Sequence, residues 1–330
     1  MNRYLFINLF EKNMKNKIEL NSKKISKVFI LLILSSFFLA NCKVDQNKKV
    51  VVDFKNNSSL DSTFEKQDSS PVYIAIASMT SPRETFTYYG QLINYLSGKL
   101  GTPILIKQKK TYEEVNELLK KGLVDFAFIC SGAYVELSKE KDVDLLVAPV
   151  INDKTYYQAY IISKNSNEIN EFKDLENKYF AFTDPLSNTG QRYPMKLLKE
   201  MDTNERLFFS KTIYTYAHDI SIHMVNTGVV DGASVHSLIY DYIAKAHPES
   251  VKNIKIIKKS EWFGIPPVVT PKNLSSGSFD KYRKLFLTIN EDTLGKNILK
   301  KLKIEKFVIV DDSIYQNVYK LDDYVHRKNN

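Results

Sequence analysis

The sequence predicts an α/β protein made of two lobes of like design. Continuous apolar runs read as buried strands, and amphipathic stretches of helical length separate them. The arrangement also recurs later in the chain. The segments "KKGLVDFAFI" and "VNTGVVDGASV" share the order helix end, Gly, Val-Asp and buried strand. Strands of this kind alternating with helices are typical of sheets whose faces are both covered. Each lobe is therefore expected to hold a mostly parallel sheet with helices on both faces.

The first 41 residues have the features of an export signal. Lysines precede the apolar run Val28–Ala40, whose 13 residues fall short of the roughly 20 that a bilayer span requires. The run ends at "LANC", which resembles a bacterial lipobox in which Cys42 is lipidated, although Asn41 departs from the usual small residue. A buried cysteine behind a signal anchor is the alternative. Translation could begin at Met1 or at Met14.

Residues 42–70 are predicted to form a flexible tether, because Asn, Asp, Lys and Ser dominate without an apolar period. The folded part would then hang from a membrane of the cell envelope. Of the net charge of +9, the first 41 residues supply +5, through seven Lys/Arg and two Glu. The remaining +4 is weak evidence for a polyanion, so we expect no nucleic-acid partner. Cys130 is the other cysteine, and no intrachain disulfide is expected once Cys42 is acylated.

The first lobe is assigned to residues 71–158 and 266–330. Its opening part alternates strands and helices, as "VYIAIAS", "TYYGQLINYLSGKLG", "TPILIKQ", "TYEEVNELLKKG" and "VDFAFIC". The second lobe, 159–265, repeats the pattern with "KYFAFTD", a helix after Gly190, "TIYTYA", "DISIHMVNTG" and "VDGASVH". The extended runs Tyr156–Lys164 and Trp262–Thr270 would cross between the lobes, and the helices "FDKYRKLFLTI" and "TLGKNILKKLKI" would complete the first lobe.

Small donor residues crowd the segment "FAFTDPLSNTGQRYP" just before a helix. Pro194 is tolerated only near a helix start, so Ser187–Gly190 must lie at the N-terminus of that helix. Free backbone N–H groups, the helix dipole and hydroxyl donors favour an anion there. Plain helix capping by Ser187 or Thr189 is the alternative.

Five segments resemble one family, in the family's order. "DPLSNTGQRYP" is similar to the Asp-Pro-x-Ser-x-Ser/Thr-Gly segment of the phosphate, phosphite and phosphonate binding proteins of ABC transporters. "YYGQLINYLSGKLGTP", "TYEEVNELLKKGLVDFAFICSGAYVEL", "AHDISIHMVNTGVVDGASV" and "FGIPPVV" also look like this family. The resemblance implies a two-lobed type II periplasmic binding protein fold and covers nearly all of the chain after the tether.

Carried over by position, the resemblance implies a set of ligand-binding residues. Ser187 and Thr189, with backbone N–H groups of Asn188 to Gly190, would hold the oxyanion. The two binding tyrosines would be Tyr112 and Tyr156, and the binding histidine would be His218. His223 is expected to be core or surface.

Further polar residues are expected at the carboxyl edge of the sheets, where open α/β sheets bind ligands. Thr80 and Ser81 follow the first strand, and Ser131 follows the third. Family members that bind aminoalkyl phosphonates are expected to place carboxylates near the ligand's ammonium group. Here His236 stands where many relatives look acidic, and "GIPPVV" contains no acidic residue. The sequence therefore disfavours an aminoalkyl ligand and favours phosphate, phosphite or a small alkyl phosphonate. Cys130 could be a nucleophile, but a buried, inert cysteine is the preferred interpretation.

The function predicted from these features is solute binding for an ABC importer. The ligand would be a small phosphorus oxyanion, and the partners would be a permease, an ATPase and the membrane that holds the lipid. We expect a monomer that is not an enzyme, with no cofactor and no metal site. A ligand sensor for a signalling partner is the first alternative. An enzyme using Cys130 or His218 is the second, and it lacks a recognisable nucleophile, base and orienting group.

Overall fold

The computed structural model describes residues 70–165 and 168–327. The predicted signal peptide, the lipidation residue Cys42 and residues 43–69 of the tether lie outside the described residues. No helix within the described ranges is long and apolar enough to cross a membrane.

The strands and helices are numbered separately in chain order. The strands are β1 Val72–Ile76, β2 Ile104–Ile106, β3 Phe126–Phe128, β4 Val143–Val150, β5 Tyr156–Tyr157, β6 Ala159–Lys164, β7 Tyr179–Phe182, β8 Lys211–Tyr214, β9 Gly232–His236, β10 Ile254–Lys259, β11 Phe263–Gly264, β12 Val268–Pro271 and β13 Lys306–Val308. The helices are α1 Pro82–Leu100, α2 Tyr112–Lys120, α3 Ser131–Glu140, α4 Tyr193–Glu200, α5 Glu205–Phe208, α6 His218–Thr227, α7 Ser237–Ala246, α8 Ser276–Leu287, α9 Thr293–Leu302 and α10 Gln316–His326.

Two sheets define the two lobes. Lobe 1 has the six-stranded sheet, in the order β13-β4-β12-β3-β1-β2, and lobe 2 has the five-stranded sheet, in the order β10-β6-β9-β7-β8. The two crossings pair with each other as the small sheet of β5 and β11. The predicted two-lobed α/β fold with two crossing strands is therefore confirmed.

Strand direction depends on how a strand enters its sheet. Strands linked by a helix run parallel, as β1 does with β2 and β3, and as β7 does with β8 and β9. Strand β12 enters lobe 1 from a crossing and is antiparallel to β3 and β4, and β6 enters lobe 2 in the same way and is antiparallel to β9 and β10. A helical connection returns the chain to the same end of the sheet, whereas a crossing delivers it at the other end.

Aromatic side chains fill both cores. In lobe 1, Phe126 packs edge-on against Phe286 of α8, with ring centroids 5.4 Å apart. In lobe 2, Phe180 of β7 stacks on Phe209 at 4.5 Å. All four side chains are buried, so each sheet has an apolar core that holds its own strands and helices together.

The C-terminal helix α10 contacts both lobes, although the sequence assigns all of 266–330 to the first. It packs against α3 of lobe 1 and α4 of lobe 2. Asp322 of α10 also pairs with Arg192, which precedes α4, at a nitrogen–oxygen distance of 3.0 Å. An amphipathic period shows that a helix has a buried face but not which neighbours cover it, so this second contact could not be read from the sequence.

Candidate anion-binding site between the lobes

The segment Ser187–Gly190 forms the helix start that the sequence predicts. Ser187 has extended backbone, with φ at −71°, and its Oγ accepts a hydrogen bond from the N–H of Gly190 at 3.0 Å. A single π-helical turn, Asn188–Arg192, follows and leads into α4. The side chains of Ser187, Asn188 and Thr189 are fully buried. Ser187 is thus a cap, and the same turn is placed inside the protein where an anion could meet it.

Gly190 is needed for this turn to pack on its own strand. A Cβ at position 190 would lie 2.7 Å from the Cβ of Thr183 and closer still to the Thr183 hydroxyl. Any side chain would therefore push the turn away from the end of β7. The glycine fixes where the donors of Ser187 and Thr189 sit relative to the sheet.

The two lobes touch directly around this turn. Asp184, just after β7, accepts a hydrogen bond from the N–H of Tyr112 in lobe 1 at 3.1 Å. The N–H of His218 donates to the carbonyl of Met79 at 3.0 Å, and the N–H of Ser81 donates to Asp219 at 2.8 Å. Burial raises the pKa of the Asp184 carboxyl, and the bonds from Leu186 and Tyr112 oppose that rise. The structure shows the lobes in contact, with the segment at their interface.

A chain of contacts joins the remaining predicted residues to this turn. Tyr157 Oη lies 2.6 Å from Ser131 Oγ and accepts from Asn188 Nδ2 at 3.3 Å. The Tyr157 ring lies 4.2 Å from the ring of His236. The N–H of His236 donates to His218 Nδ1 at 3.2 Å. These contacts bring together side chains from α3, β5, α6 and β9.

Several buried polar atoms of this cluster have no hydrogen-bond partner among the described residues. They are Tyr112 Oη, Asn188 Oδ1, Thr189 Oγ1 and His218 Nε2. Native proteins leave few such atoms unsatisfied, and each one calls for an explanation such as a ligand or a bound water. Four such atoms within one cluster indicate a site for a polar ligand between the lobes.

The histidines of this site are neutral. Burial lowers the pKa of His218 to about 3. Because His218 Nδ1 accepts from a backbone N–H, the ring proton belongs on Nε2, which makes Nε2 a donor. Burial, together with the neighbouring His218, also lowers the pKa of His236 well below its usual value, and its Nδ1 accepts from the N–H of Leu238. His218 can thus offer an oxyanion one neutral hydrogen bond.

The two tyrosines within the cluster are also held uncharged. Burial, chiefly, raises the pKa of the Tyr112 phenol well above its usual value, and the nearby Ser187 side chain offsets only part of that shift. The pKa of Tyr157 is raised for the same main reason. Both side chains therefore keep their hydroxyl protons and can act as donors.

One predicted residue lies apart from this cluster. Tyr156 is 38% exposed, and its backbone pairs with Gly264 in the small crossing sheet. Its neighbour Tyr157 is fully buried and makes the contacts described above. Successive side chains of a strand point to opposite sides. The side chains of Tyr156 and Tyr157 therefore face in opposite directions, and that of Tyr157 faces the cluster. Tyr157, which was not predicted from the sequence, is the tyrosine of this pair that lies in the cluster, and the doubled "YY" gives no signal for choosing between the two.

Thr80 and Ser81 lie at the edge of the site. The Thr80 hydroxyl is 3.0 Å from that of Thr85, and Ser81 is only half-buried. Cys130 is buried and precedes α3, and burial raises its thiol pKa. Such a thiol is a poor nucleophile at neutral pH. Across residues 70–165 and 168–327, no group of three or more His, Cys, Asp or Glu is placed to hold a metal ion.

A cavity of about 260 Å³ opens beside the cluster and shares His236 and Thr80 with it. Its walls come from both lobes and from the second crossing, and most of its lining side chains are apolar. Asp241 of α7 also contributes to the wall, where its Oδ2 accepts from Tyr160 Oη at 3.3 Å. Neither the cavity nor this carboxylate could be predicted from the sequence, because α7 carries no motif.

Comparisons with known proteins find relatives of similar sequence and fold. The chain is 22% identical over 268 residues to the phosphonates-binding periplasmic protein of Escherichia coli, covering 79% of each chain. The crystal structure of a binding-protein component of an ABC phosphonate transporter from Pseudomonas aeruginosa superposes with a TM-score of 0.73 at 20% identity, covering 78% of this chain and 87% of that one. A Prochlorococcus marinus protein, PhnD1, solved in complex with methylphosphonate, gives 0.68 at 15% identity, covering 76% and 96%.

The family comparison covers most of the described chain. Residues 74–315 match the family described as ABC transporter, phosphonate, periplasmic substrate-binding protein. The match spans both sheets, both crossings and every predicted ligand-binding residue. The chain therefore belongs to the family of periplasmic phosphonate-binding proteins of ABC transporters.

Proposed function

We propose that this protein binds its phosphorus oxyanion in the cleft between the lobes, with the turn Ser187–Gly190 as the main anion site. The observation that carries the proposal is the set of unpartnered polar atoms, Tyr112 Oη, Thr189 Oγ1 and His218 Nε2, buried where the lobes meet. The closed form would then be recognised by the permease and ATPase that the family implies.

The number of available hydrogen bonds is consistent with useful affinity. Micromolar binding corresponds to about 8 kcal/mol, and a hydrogen bond to a charged group contributes about 1.5–3 kcal/mol. Hydrogen bonds from Tyr112, Thr189 and His218, together with one from the Ser187 hydroxyl, would supply most of this binding free energy. The costs of desolvation and of closing the lobes would reduce the net value. Of the residues that the structure describes, Asp184 is the one carboxylate beside the turn Ser187–Gly190 that could repel the ligand. Each of its two oxygens accepts a hydrogen bond from a backbone N–H group, those of Tyr112 and Leu186.

The test is calorimetric titration of the full-length protein, purified in a mild detergent. The ligands are phosphate, phosphite, methylphosphonate and aminoethylphosphonate, and methylphosphonate is included because a related structure contains it. We expect at least one to bind with micromolar or tighter affinity. The double variant Ser187→Ala/Thr189→Ala should lose at least 100-fold, which is about 3 kcal/mol. Absence of binding by all four ligands, in a protein that melts cooperatively, would rule out this site for phosphorus oxyanions.

We also propose that Cys42 is lipidated and that the protein is a monomer held at a membrane of the cell envelope. The "LANC" sequence and the 13-residue apolar run before it support this anchor. Detergent phase partitioning of the wild type and of Cys42→Ala tests it. The wild type should enter the detergent phase and the variant the aqueous phase, and equal partitioning would contradict the proposal.

Members of this family are substrate-binding proteins of ABC transporters, so the role of the family is transport and not catalysis. The buried thiol of Cys130 and the neutral ring of His218 fit this role. A sensing role on the same fold would show itself in a kinase gene beside this one, where a transport role predicts genes for a permease and an ATPase.

A further inference from the structure

The cavity beside the anion site is shaped for something larger than a methyl group. Its volume of about 260 Å³ exceeds the roughly 150 Å³ of a cavity that accepts benzene. It adjoins the anion site at His236, whose ring lies beside that of Tyr157, and Thr80 at the edge of the site also lines it. Ser187, Thr189, Tyr112 and His218 do not line the cavity, so a ligand whose phosphorus group sits at Ser187 and Thr189 reaches it only with a substituent that extends past His236.

The walls of this cavity are apolar where they are most enclosed. Six residues illustrate the lining: Ile76, Phe128, Leu238, Ile239, Ile265 and Pro266. They come from lobe 1, lobe 2 and the second crossing, so lobe closure would surround the substituent on three sides. Apolar walls reward a substituent in proportion to the apolar area it removes from water.

The charged groups of the cavity lie on its exposed margin. Asp241, Lys245, Lys301 and Lys303 are all exposed. Asp241 is engaged by Tyr160, and Lys301 donates to Gln91 at 3.0 Å. A substituent carrying an ammonium group would find one carboxylate, that of Asp241 at the exposed margin, which already accepts from Tyr160. Along the rest of the cavity it would have to leave water for apolar walls, which costs free energy.

We propose that the preferred ligand is an organophosphonate with an apolar substituent of about the size of a phenyl or butyl group. This inference rests on the proposed function, since it places the phosphonate group at Ser187 and Thr189. Methylphosphonate or phosphate would satisfy the same donors but would leave most of the cavity walls without contact. Aminoethylphosphonate would bind more weakly than an apolar phosphonate of similar length.

Calorimetric titration of the full-length protein with methyl-, butyl-, phenyl- and aminoethylphosphonate tests this. Affinity should rise by about fourfold for each buried methylene, which corresponds to about 0.8 kcal/mol. Phenylphosphonate should bind at least tenfold more tightly than methylphosphonate, with a more negative heat-capacity change. Methylphosphonate binding as tightly as phenylphosphonate would overturn the inference and leave the proposed function intact. Failure of every phosphonate to bind would overturn the inference, and the proposed function would fall with it only if phosphate and phosphite also did not bind.

A variant that fills the cavity supplies the second measurement. Ile239→Trp adds bulk to the cavity wall, whereas Ile213→Trp adds the same bulk on strand β8, where Ile213 is exposed and does not line the cavity. The Ile239 variant should lose the tenfold preference for phenylphosphonate and keep its affinity for methylphosphonate. The Ile213 variant should keep both. An unchanged phenylphosphonate preference in the folded Ile239 variant would place the substituent elsewhere.

Discussion

Gly132 of α3 is the position at which the closed arrangement of the lobes is most easily blocked. The carbonyl of Gly132 in lobe 1 accepts a hydrogen bond from Arg192 Nη1 in lobe 2 at 2.7 Å. A Cβ at this position would lie 2.8 Å from Arg192 Nη1 and 2.8 Å from the N of Asn188, and closer still to the carbonyl of Leu186. All three neighbours belong to lobe 2, so Gly132→Ala should oppose closure and disturb little within lobe 1.

The size of the effect follows from these distances. Ordinary contacts begin at about 3.4 Å, so the contact with the N of Asn188 at 2.8 Å alone requires the lobes to part by 0.6 Å, and the closer carbonyl of Leu186 requires more. Overpacking of this kind costs about 1–3 kcal/mol. Under the proposed function, in which the lobes close on the ligand, the cost should appear as a loss of affinity of about 5- to 150-fold.

Stability should respond in the opposite direction. Gly132 is the second residue of α3, and alanine is favoured over glycine within helices by up to about 1 kcal/mol. Where the lobes are apart, the new methyl group meets nothing from lobe 2. The melting temperature of Gly132→Ala without ligand should therefore equal or exceed that of the wild type.

Titration with methylphosphonate and thermal melting, measured on both proteins, separate the two effects. Gly98→Ala is the matched control, since a Cβ there meets nothing within 4 Å and the residue lies in the helix α1. The control should keep the wild-type affinity. Small-angle X-ray scattering should show the wild type becoming more compact with ligand and Gly132→Ala remaining expanded. Unchanged affinity in Gly132→Ala would refute the idea that this contact forms during binding.

Two further predictions concern the tyrosine and histidine pairs. Tyr157→Phe should weaken ligand binding by about tenfold, because it removes a hydroxyl that bridges Ser131 and Asn188 and such a bond is worth about 1 kcal/mol or more. Tyr156→Phe should not change the affinity measured by the same titration, and the reverse order would restore Tyr156 to the site. Stability should fall with acidity below pH about 6.5, the unfolded pKa of histidine, because the folded pKa of His218 is lowered to about 3. By pH 5 this residue should account for a loss of about 2 kcal/mol, so denaturant titrations should show a shallower pH dependence for His218→Asn than for the wild type or for the exposed control His223→Asn.

Much of the site could be predicted from the sequence because its residues belong to local patterns. The turn Ser187–Gly190 depends on a strand end, a cap and Pro194, and all three lie within one short segment. His218 and Ser131 also begin helices directly after strand or loop signals. The carboxyl ends of parallel strands lie at one edge of each sheet, which places Ser131 at the edge of the first sheet and Ser187–Gly190 at the edge of the second. The role of His218 was implied only by the family resemblance.

The rest depended on packing between distant segments. Whether Tyr156 or Tyr157 faces the cluster depends on the register in which β5 pairs with β11. That register depends on a distant strand and cannot be read from the residues around the two tyrosines. The cavity requires residues from β1, α7 and the second crossing to face one another. No periodicity in any one of these segments indicates a shared cavity, and for that reason the sequence, which favours phosphate, phosphite or a small alkyl phosphonate, gives no sign of room for a bulkier substituent.

The unpartnered donors explain how ligand occupancy could control closure. If the lobes closed without a ligand, Tyr112 Oη, Thr189 Oγ1 and His218 Nε2 would be buried without partners, at about 1–3 kcal/mol each. The total is about 3–9 kcal/mol. This range spans the roughly 5.5 kcal/mol needed to shift the ratio of closed to open forms from 1:99 to 99:1. An oxyanion that accepts all three hydrogen bonds removes this penalty in the closed form alone, because Tyr112 belongs to lobe 1 and the other two belong to lobe 2. A ligand can shift the equilibrium only through such a difference between the two forms. Closure would therefore report that an oxyanion is present, which is the signal that a permease needs in order to select the loaded protein.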